Sequence, residues 1–409
     1  MRQRKNTILF FALIFLMSLT GYAQNQFAAF AKKESREKLV VKLKDSIINQ
    51  EATAYLNFNK NINWNSYAWA TAFVIDNSEQ NFKVLKKALS DYKLLSKRDL
   101  KKVFESVFAC FPNEFVLEMT DIAKNETENV SIFATSIHYL AQNNIEVKQL
   151  LQTKFIDDNS AVMQALRNEL KSDYKPISIA DLIELVKFNA AKKEKFLYSI
   201  QHTNRDLPGK AFVQNEKGFL EKENGKVILV DQLARSATNL PMYITNGNTP
   251  TGLFKIESLA KSENVFIGPT LSFVTFLPFE CDASVFYNND KKDFLLEDYL
   301  KFFPKKLHSN LSIQQTFWAG KAGRDEIHFH GTTIDQEIYK KQIFYGQTPS
   351  MGCLCAKEIW NENGNLTQSD QQKLVDIWQK SNIEKGYAYV LELQESDWIK
   401  FEKSINTKL

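Results

Sequence analysis

The sequence predicts a multidomain α and β protein, in which an all-α helical N-terminal domain precedes a β-rich domain with a few helices. The distribution of glycine is the first observation: of fourteen glycines, Gly21 comes first and the other thirteen begin at Gly209. Proline agrees, because only Pro112 and Pro176 precede Pro208. A long stretch almost without helix-breaking residues predicts consecutive helices, and the later return of glycine predicts strands and turns.

The chain begins with MRQRKNTILFFALIFLMSLTGYAQ, which predicts a secretory signal peptide over residues 1–23. A basic start is followed by an apolar run, Thr7–Leu19, and then by small residues that end at Ala23. An uncleaved anchor is the alternative, but a span needs about 20 apolar residues. No cysteine follows the apolar run, so no lipid anchor is predicted. We expect export across the inner membrane to the periplasm or cell envelope, with no stable membrane anchor after cleavage.

The charge balance excludes a nucleic-acid partner. The formal net charge is +4, and removal of Arg2, Arg4 and Lys5 with the signal peptide leaves +1. The chain therefore lacks the excess of basic residues that is typical of nucleic-acid-binding proteins. Four cysteines in so long an exported chain are too few for a disulfide framework, so at least one is available for reactivity.

Residues 24–201 are predicted to form the helical domain, with helix pairs in a solenoid-like arrangement as one option. Two segments, SKRDLKKVFESVF and SIADLIELVKF, begin with serine and carry aspartate three residues later, which is the spacing of a capping box. Other segments have apolar residues at three- and four-residue steps. Cys110 and His138 lie on apolar helical faces, where core packing is the expected role.

Residues 202–224 are predicted to be a linker, and residues 225–409 the β-rich domain. The short runs KVILVD, PMYIT, GLFKIES, LSFVTFL, EIHFHG and AYVLEL are rich in β-branched and aromatic residues. One late helix is predicted over Ser369–Ser381, before the final strand. The long insertion Phe279–Ala322 is expected to carry one helix, and Cys281 within it to be structural.

Two histidines and two cysteines lie close together in the stretch from Ile327 to Trp360. They form the pairs His328-Phe-His330 and Cys353-Leu-Cys355. The four side chains are a chemically sound zinc set, although the spacing differs from that of common zinc fingers. A thiol nucleophile with an imidazole base is the other possibility, since a cysteine thiol must lose its proton to attack a carbonyl.

Three segments in order resemble the L,D-transpeptidase catalytic domain, the YkuD family. They are NTPTGLFKI, EIHFHGTT and TPSMGCLCA, followed by a helix and a closing strand. The resemblance covers roughly the second half of the chain. It implies a β-rich fold with a cysteine nucleophile, and acyl transfer on the peptide stems of the bacterial cell wall.

The same resemblance assigns roles to residues. Cys353 would be the nucleophile, His330 the base, and the carbonyl of Gly331 the group that orients the base. Ser350, Met351 and Gly352 would form the motif backbone before the nucleophile, and the N–H groups of Gly352 and Cys353 would hold the oxyanion.

Four further residues are candidates for substrate binding: His328, Thr332, Cys355 and Trp318. Cys355 is also the rival nucleophile, because positions two apart on a strand share a face. No metal and no cofactor is expected with the family mechanism.

Two positions differ from the family pattern. Met351 stands where the family usually has histidine, and Cys355 stands where it usually has arginine or asparagine. The predicted function is an exported, cysteine-dependent acyl transferase that acts on peptidoglycan stem peptides. One alternative is an L,D-carboxypeptidase or hydrolase that uses the same thiol. Another is an envelope-binding protein with a degenerate catalytic module, whose helical domain holds a protein partner.

Overall fold

A computed structural model describes residues 26–58 and 60–409. The predicted signal peptide, residues 1–23, lies outside the described residues. The described chain combines a helical N-terminal part with a closed barrel of eight strands.

The N-terminal part is helical up to Ala190, as the scarcity of glycine predicts. Both predicted caps are present: the Ser96 side chain accepts the Asp99 N–H, and Ser178 forms a full capping box with Asp181. Such caps satisfy backbone N–H groups that the first helical turn leaves without partners. The helices before the first strand are α1 (Lys33–Val41), a π-helical segment (Lys42–Asn49), α2 (Gln50–Phe58), α3 (Trp64–Val74), α4 (Glu79–Ser90), α5 (Lys97–Cys110), α6 (Val116–Asn125), α7 (Val130–Gln142), α8 (Lys148–Thr153), α9 (Ala161–Glu169) and α10 (Ile179–Ala190).

The barrel has the strand order β1-β12-β6-β7-β8-β9-β5-β2, and β2 closes it by pairing with β1. The β1–β12 and β8–β9 pairs are parallel, and the other barrel pairs are antiparallel. The pairs β3–β4 and β10–β11 are separate two-stranded sheets. The strands are β1 (Phe196–Gln201), β2 (Gly209–Gln214), β3 (Lys222–Glu223), β4 (Lys226–Val227), β5 (Val230–Leu233), β6 (Gly252–Ala260), β7 (Ser272–Phe276), β8 (Phe329–His330), β9 (Leu354–Ala356), β10 (Glu358–Trp360), β11 (Leu366–Ser369) and β12 (Gly386–Glu392).

The secondary structure near the predicted boundaries at 201 and 224 differs from the prediction in two places. Phe196–Gln201, placed in the helical domain from the sequence, is strand β1 of the barrel. The predicted linker, 202–224, contains β2, which pairs with β1 and β5. The FLYSIQ segment is buried along its full length, which favours a strand inside a sheet over the end of a helix.

Two local predictions in the second half are also corrected. The PMYIT segment forms turns instead of a strand, because carbonyls of Met242 and Ile244 turn toward the buried guanidinium of Arg324. The insertion Phe279–Ala322 holds three α-helices instead of one, and its aromatic side chains build much of a second core cluster. The helices after β7 are α11 (Ala283–Tyr287), α12 (Leu296–Leu300), α13 (Gln315–Lys321), α14 (Asp370–Trp378), α15 (Glu395–Trp398) and α16 (Phe401–Lys408).

The helical part and the barrel are packed together. One cluster of buried apolar residues runs from Leu43 in the helices to Val390 in β12. Polar contacts cross the same boundary: the Tyr339 hydroxyl donates to the Phe73 carbonyl at 2.8 Å. The helical part and the barrel therefore share one apolar core.

Candidate active site

The histidine and cysteine pairs lie on neighbouring parallel strands. Phe329 on β8 pairs with Leu354 on β9, and both side chains belong to the first core cluster. Because side chains alternate along a strand, His330 and its partner Cys355 point to the opposite face. The fold thus brings the two motifs to one place.

Cys353 directly precedes β9, and its sulfur lies against the backbone that leads into β8. The sulfur accepts the His328 N–H at 3.3 Å and contacts the Glu326 carbonyl oxygen at 3.4 Å. Within residues 26–58 and 60–409, no hydrogen bond joins this sulfur to the imidazole of His328 or His330. In the resting site the thiol is therefore held by backbone groups.

His330 has the orientation that a general base needs. Its Nδ1 lies 2.6 Å from the Gly331 carbonyl oxygen, which can only accept a hydrogen bond. The proton therefore belongs on Nδ1, and Nε2 keeps its lone pair. The predicted pairing of His330 with Gly331 is present in the structure.

A tight turn precedes the nucleophile candidate. The Ser350 hydroxyl donates to the Cys353 carbonyl at 2.8 Å and accepts the Gly352 N–H at 3.2 Å. Gly352 has φ +124°, a conformation that favours glycine. Thr249, from the NTPTGLFKI segment, donates to the Gly352 carbonyl at 2.7 Å. All three segments that carry the resemblance therefore meet at this site.

The turn leaves one N–H group for an oxyanion. The Gly352 N–H is occupied by Ser350, whereas the Cys353 N–H makes no hydrogen bond within the part of the chain that the structure describes. The Cys353 N–H is consequently the better candidate donor of the two predicted from the motif.

Arg324 is a site residue that the motifs did not reveal. Its guanidinium donates to four backbone carbonyls, those of Met242, Ile244, Gly247 and Asn248. Burial lowers the pKa of Arg324 to about 10, so the group remains a cation at neutral pH. One sequence signal was available: Arg235 and Arg324 are the only arginines after residue 224.

Glu358 is a second residue that the motifs did not reveal. It is 6 % exposed, and its carboxylate accepts the Thr332 N–H at 3.0 Å. Burial raises the pKa of Glu358 to about 7, and nearby hydroxyls and the Thr332 N–H offset part of the shift. A glutamate at the start of a strand gives no pattern by which the sequence could reveal this contact.

The thiol and the imidazole are both uncharged at neutral pH. Burial raises the pKa of Cys353 to about 11, and the His328 N–H and the Arg324 charge lower it only in part. Burial lowers the pKa of His330 to about 4, against a smaller opposite effect of the Gly331 carbonyl. The resting site therefore holds a thiol and a neutral imidazole, and the proton must move during attack.

The other candidates occupy different environments. Cys355 is buried, with the Thr348 hydroxyl at 3.5 Å, and burial raises its pKa to about 12. His328 accepts the Thr275 N–H at Nδ1 at 3.2 Å. Thr332 is buried, and its carbonyl accepts the Trp360 indole N–H at 2.7 Å.

Met351 and Trp318 complete the set. Met351 is 37 % exposed at the turn before the nucleophile candidate. Trp318 lies on α13 with its ring edge-on to Phe317, and its indole N–H is buried without an acceptor among the described residues. Within the described chain, no hydrogen bond or ring contact joins either side chain to Cys353.

Cys110 and His138, which the sequence places in the helical core, pack against other residues of the helical part. Cys110 is buried in the first core cluster. His138 packs on Phe108 and approaches the Glu169 carboxylate at 3.1 Å. Cys281 is half-buried, and burial raises its pKa to about 11.

Two features are absent from the described residues: a cluster of side chains that could hold a metal ion, and a helix that could span a membrane. Among residues 26–58 and 60–409, no three histidine, cysteine, aspartate or glutamate side chains are arranged to hold a metal ion. In the same part of the chain, no helix is both long and apolar enough to cross a membrane. Comparisons with protein-family models, with curated proteins and with solved structures find no match for this chain.

Proposed function

We propose that this protein is an exported, cysteine-dependent acyl transferase of the L,D-transpeptidase type, acting on peptidoglycan stem peptides. The observation that carries the proposal is the pairing of His330 Nδ1 with the Gly331 carbonyl beside the Cys353 turn. It supports the role of base that the resemblance assigns to His330. The stem-peptide substrate rests on the resemblance alone.

The chemistry proceeds in two steps. The mechanism requires the sulfur to leave the Glu326 carbonyl and approach His330, a movement that we assign to rotation about the Cα–Cβ bond of Cys353. The sulfur attacks the peptide carbonyl while its proton passes to His330 Nε2. The Cys353 N–H stabilises the oxyanion, and the leaving amine takes the proton from His330 as the C–N bond breaks. A thioester remains.

An acceptor then resolves the thioester. His330 takes a proton from the incoming amine and returns it to the leaving sulfur. The new amide bond between the acyl group and the amine is the cross-link. Water in place of the amine gives the carboxypeptidase alternative with the same residues. Arg324 supports both steps, because a buried cation lowers the free energy of negative charge that develops at the neighbouring sulfur.

An envelope-binding role is the second candidate, favoured by one observation. In the described structure the Cys353 thiol lies on the Glu326 carbonyl instead of the imidazole. With Met351 and Cys355 at family motif positions, this arrangement fits a module that has lost activity.

The deciding experiment is intact-mass analysis after incubation with a carbapenem. We expect the wild-type mass to rise by one inhibitor molecule, and Cys353→Ala to remove the adduct. Cys355→Ala is the matched control, two residues away, and should keep the adduct. No adduct on the folded wild-type protein would favour the binding role, and an adduct that depends on Cys355 would reverse the assignment.

A further inference from the structure

Glu358 lies directly behind the backbone that orients His330. It is the first residue of β10, and its two carboxylate oxygens have different donors. One oxygen accepts the Thr332 N–H at 3.0 Å, and the other accepts the Ser369 hydroxyl at 2.7 Å. The Thr332 contact places the carboxylate on the Gly331–Thr332 peptide, and the Ser369 contact holds its other oxygen.

The absence of a side chain at Gly331 permits this approach. A Cβ at Gly331 would lie 2.2 Å from Glu358 Cδ and 2.4 Å from Oε2. Carbon atoms in contact are normally separated by about 3.5–4.0 Å. Any other residue at position 331 would displace the carboxylate, so the glycine and Glu358 form one arrangement.

The two hydrogen bonds act on the same peptide group. The Gly331 carbonyl accepts from His330 Nδ1 at 2.6 Å, and the N–H of that same peptide, on Thr332, donates to Glu358. Because a peptide is a delocalised unit, an anion at its N–H end makes the carbonyl a stronger acceptor. A stronger acceptor at Nδ1 raises the affinity of Nε2 for a proton.

We propose that Glu358 is a positioning residue that orients His330 and increases its basicity through the Gly331–Thr332 peptide. The inference deepens the proposed function and rests on it, because it assigns His330 the role of base. It reproduces the orienting role of a catalytic aspartate, with a peptide group between the carboxylate and the imidazole.

The surroundings of Glu358 make its charge sensitive to pH. Titratable groups face it from three sides: Asp370 at the start of α14, the Cys355 thiol on β9, and His330 across the peptide. The Arg36–Asp335 ion pair lines a surface groove that Glu358 also lines. No lysine or arginine forms an ion pair with Glu358 in the described chain, so burial keeps its proton on up to about pH 7.

The test uses p-nitrophenyl acetate, which acetylates an assisted thiol without requiring a stem peptide. The thioester forms, the ester bond breaks with release of nitrophenolate, and the thiol proton passes to His330. The measured quantity is the acetylation rate at pH 8 after subtraction of the Cys353→Ala rate. We expect Glu358→Gln to lower this rate about tenfold, the effect of one pKa unit at the base.

Two comparisons separate this role from a loss of folding. Glu362→Gln makes the same change on an exposed glutamate four residues away and should leave the rate unchanged. In a His330→Ala background, Glu358→Gln should cause no further loss, because its effect passes through the imidazole. The wild-type rate should also rise through about pH 7 more steeply than the rate of Glu358→Gln.

Thermal unfolding is recorded for each variant. If Glu358→Gln does not fold, Glu358→Asp replaces it, since the shorter side chain retracts the carboxylate from the Thr332 N–H. Equal losses with and without His330, or no loss at all, would overturn the inference. A wild-type rate that does not depend on His330 would overturn both proposals. If Glu358→Gln slows acetylation only when His330 is present, but the wild type forms no carbapenem adduct, then the positioning role of Glu358 stands and only the transpeptidase function is refuted.

Discussion

The guanidinium of Arg324 lies against the backbone of Gly352, so that a Cβ at Gly352 would come within 2.6 Å of Nη2. The same Cβ would lie 2.9 Å from the Gly247 carbonyl oxygen, which Arg324 binds at 3.1 Å. The turn before Cys353 is thus shaped by a buried cation and the loop that holds it.

Gly352→Ala should therefore disrupt the nucleophile turn. A side chain there is strained at φ +124° and also collides with Arg324 and the Gly247 carbonyl. We expect the free energy of unfolding to fall by about 2–4 kcal/mol and carbapenem acylation to slow at least about tenfold. Chemical denaturation and adduct kinetics measure the two effects.

Gly346→Ala is the matched control for that change. Gly346 also has positive φ, +98°, but its Cβ would meet only Lys357 Nζ, at 4.0 Å. In this control, backbone strain alone should lower the free energy of unfolding by about 1–2 kcal/mol, and the rate of carbapenem acylation should stay at the wild-type value. Equal acylation by the two alanine variants would mean that the contact of Arg324 with Gly352 does not shape the site.

Removing the Arg324 charge should impair both stability and acylation. Arg324→Met leaves buried carbonyls at Met242, Ile244 and Gly247 without their donor, which we expect to cost about 3 kcal/mol of unfolding free energy. Acylation should slow about tenfold, because negative charge at the sulfur loses its neighbouring cation. Arg324→Lys, which keeps the charge, should lie between wild type and Arg324→Met.

Arg98→Met supplies the baseline for the Arg324 series. Arg98 is exposed on α5, and its loss should change the unfolding free energy by less than about 0.5 kcal/mol. If Arg324→Met acylates as fast as Arg324→Lys, the cation has only a structural role.

Local rules predicted much of the fold because they depend on neighbours in sequence. The caps at Ser96 and Ser178 and the helix that begins after Ser369 follow from residues three or four apart. Strand β1 was missed because its partner in the parallel pair, β12, lies far along the chain. Its burial comes from that pairing, which no local pattern records.

The contacts of the candidate site also fall into two groups: those between neighbours in sequence, which the sequence can predict, and those that form only in the folded chain. The pairing of His330 with Gly331 could be expected from the motif, since both groups are adjacent in sequence. Arg324 and Glu358 reach the site only through the folded loops and the β10 hairpin. Buried charges of this kind depend on tertiary contacts, so their residue types alone do not identify them.

Glu358 should give the protein a measurable pH dependence of stability. Its folded pKa, about 7, lies above the ordinary value of 4.5, so the folded state binds its proton more tightly. The resulting stability is full below pH 4.5 and is lost as pH rises through 7. Glu358→Gln removes this loss, so its unfolding free energy should improve relative to wild type between pH 5 and 8, by up to about 3 kcal/mol.

The stability contributed by His330 depends on pH in the opposite direction to that contributed by Glu358, so the two effects can be compared in one protein. Its folded pKa, about 4, lies below the ordinary 6.5, so the stability it contributes is full above pH 6.5 and is lost as pH falls toward 4. Denaturant titrations at several pH values measure both effects. A difference between Glu358→Gln and wild type that is constant with pH would show that Glu358 keeps one charge state throughout.

Truncation should show where the barrel begins. A chain that starts at Gly209 lacks β1, which lies between β12 and β2 and closes the barrel. Its loss leaves two strand edges unpaired and exposes the buried partners of Phe196 and Tyr198 in the second core cluster. We expect residues 209–409 to give no cooperative thermal transition.

A longer fragment, residues 175–409, provides the contrast. It keeps β1 and α10, whose apolar side chains share that second cluster, and the bridge between Ile177 and Leu393. We expect it to unfold cooperatively but below the wild-type temperature, because barrel residues of the first cluster lose their helical neighbours. Circular dichroism on heating measures both fragments. Cooperative unfolding of 209–409 would show that β1 is dispensable, whereas failure of 175–409 would show that the barrel requires the preceding helices, since only the longer fragment retains every barrel strand.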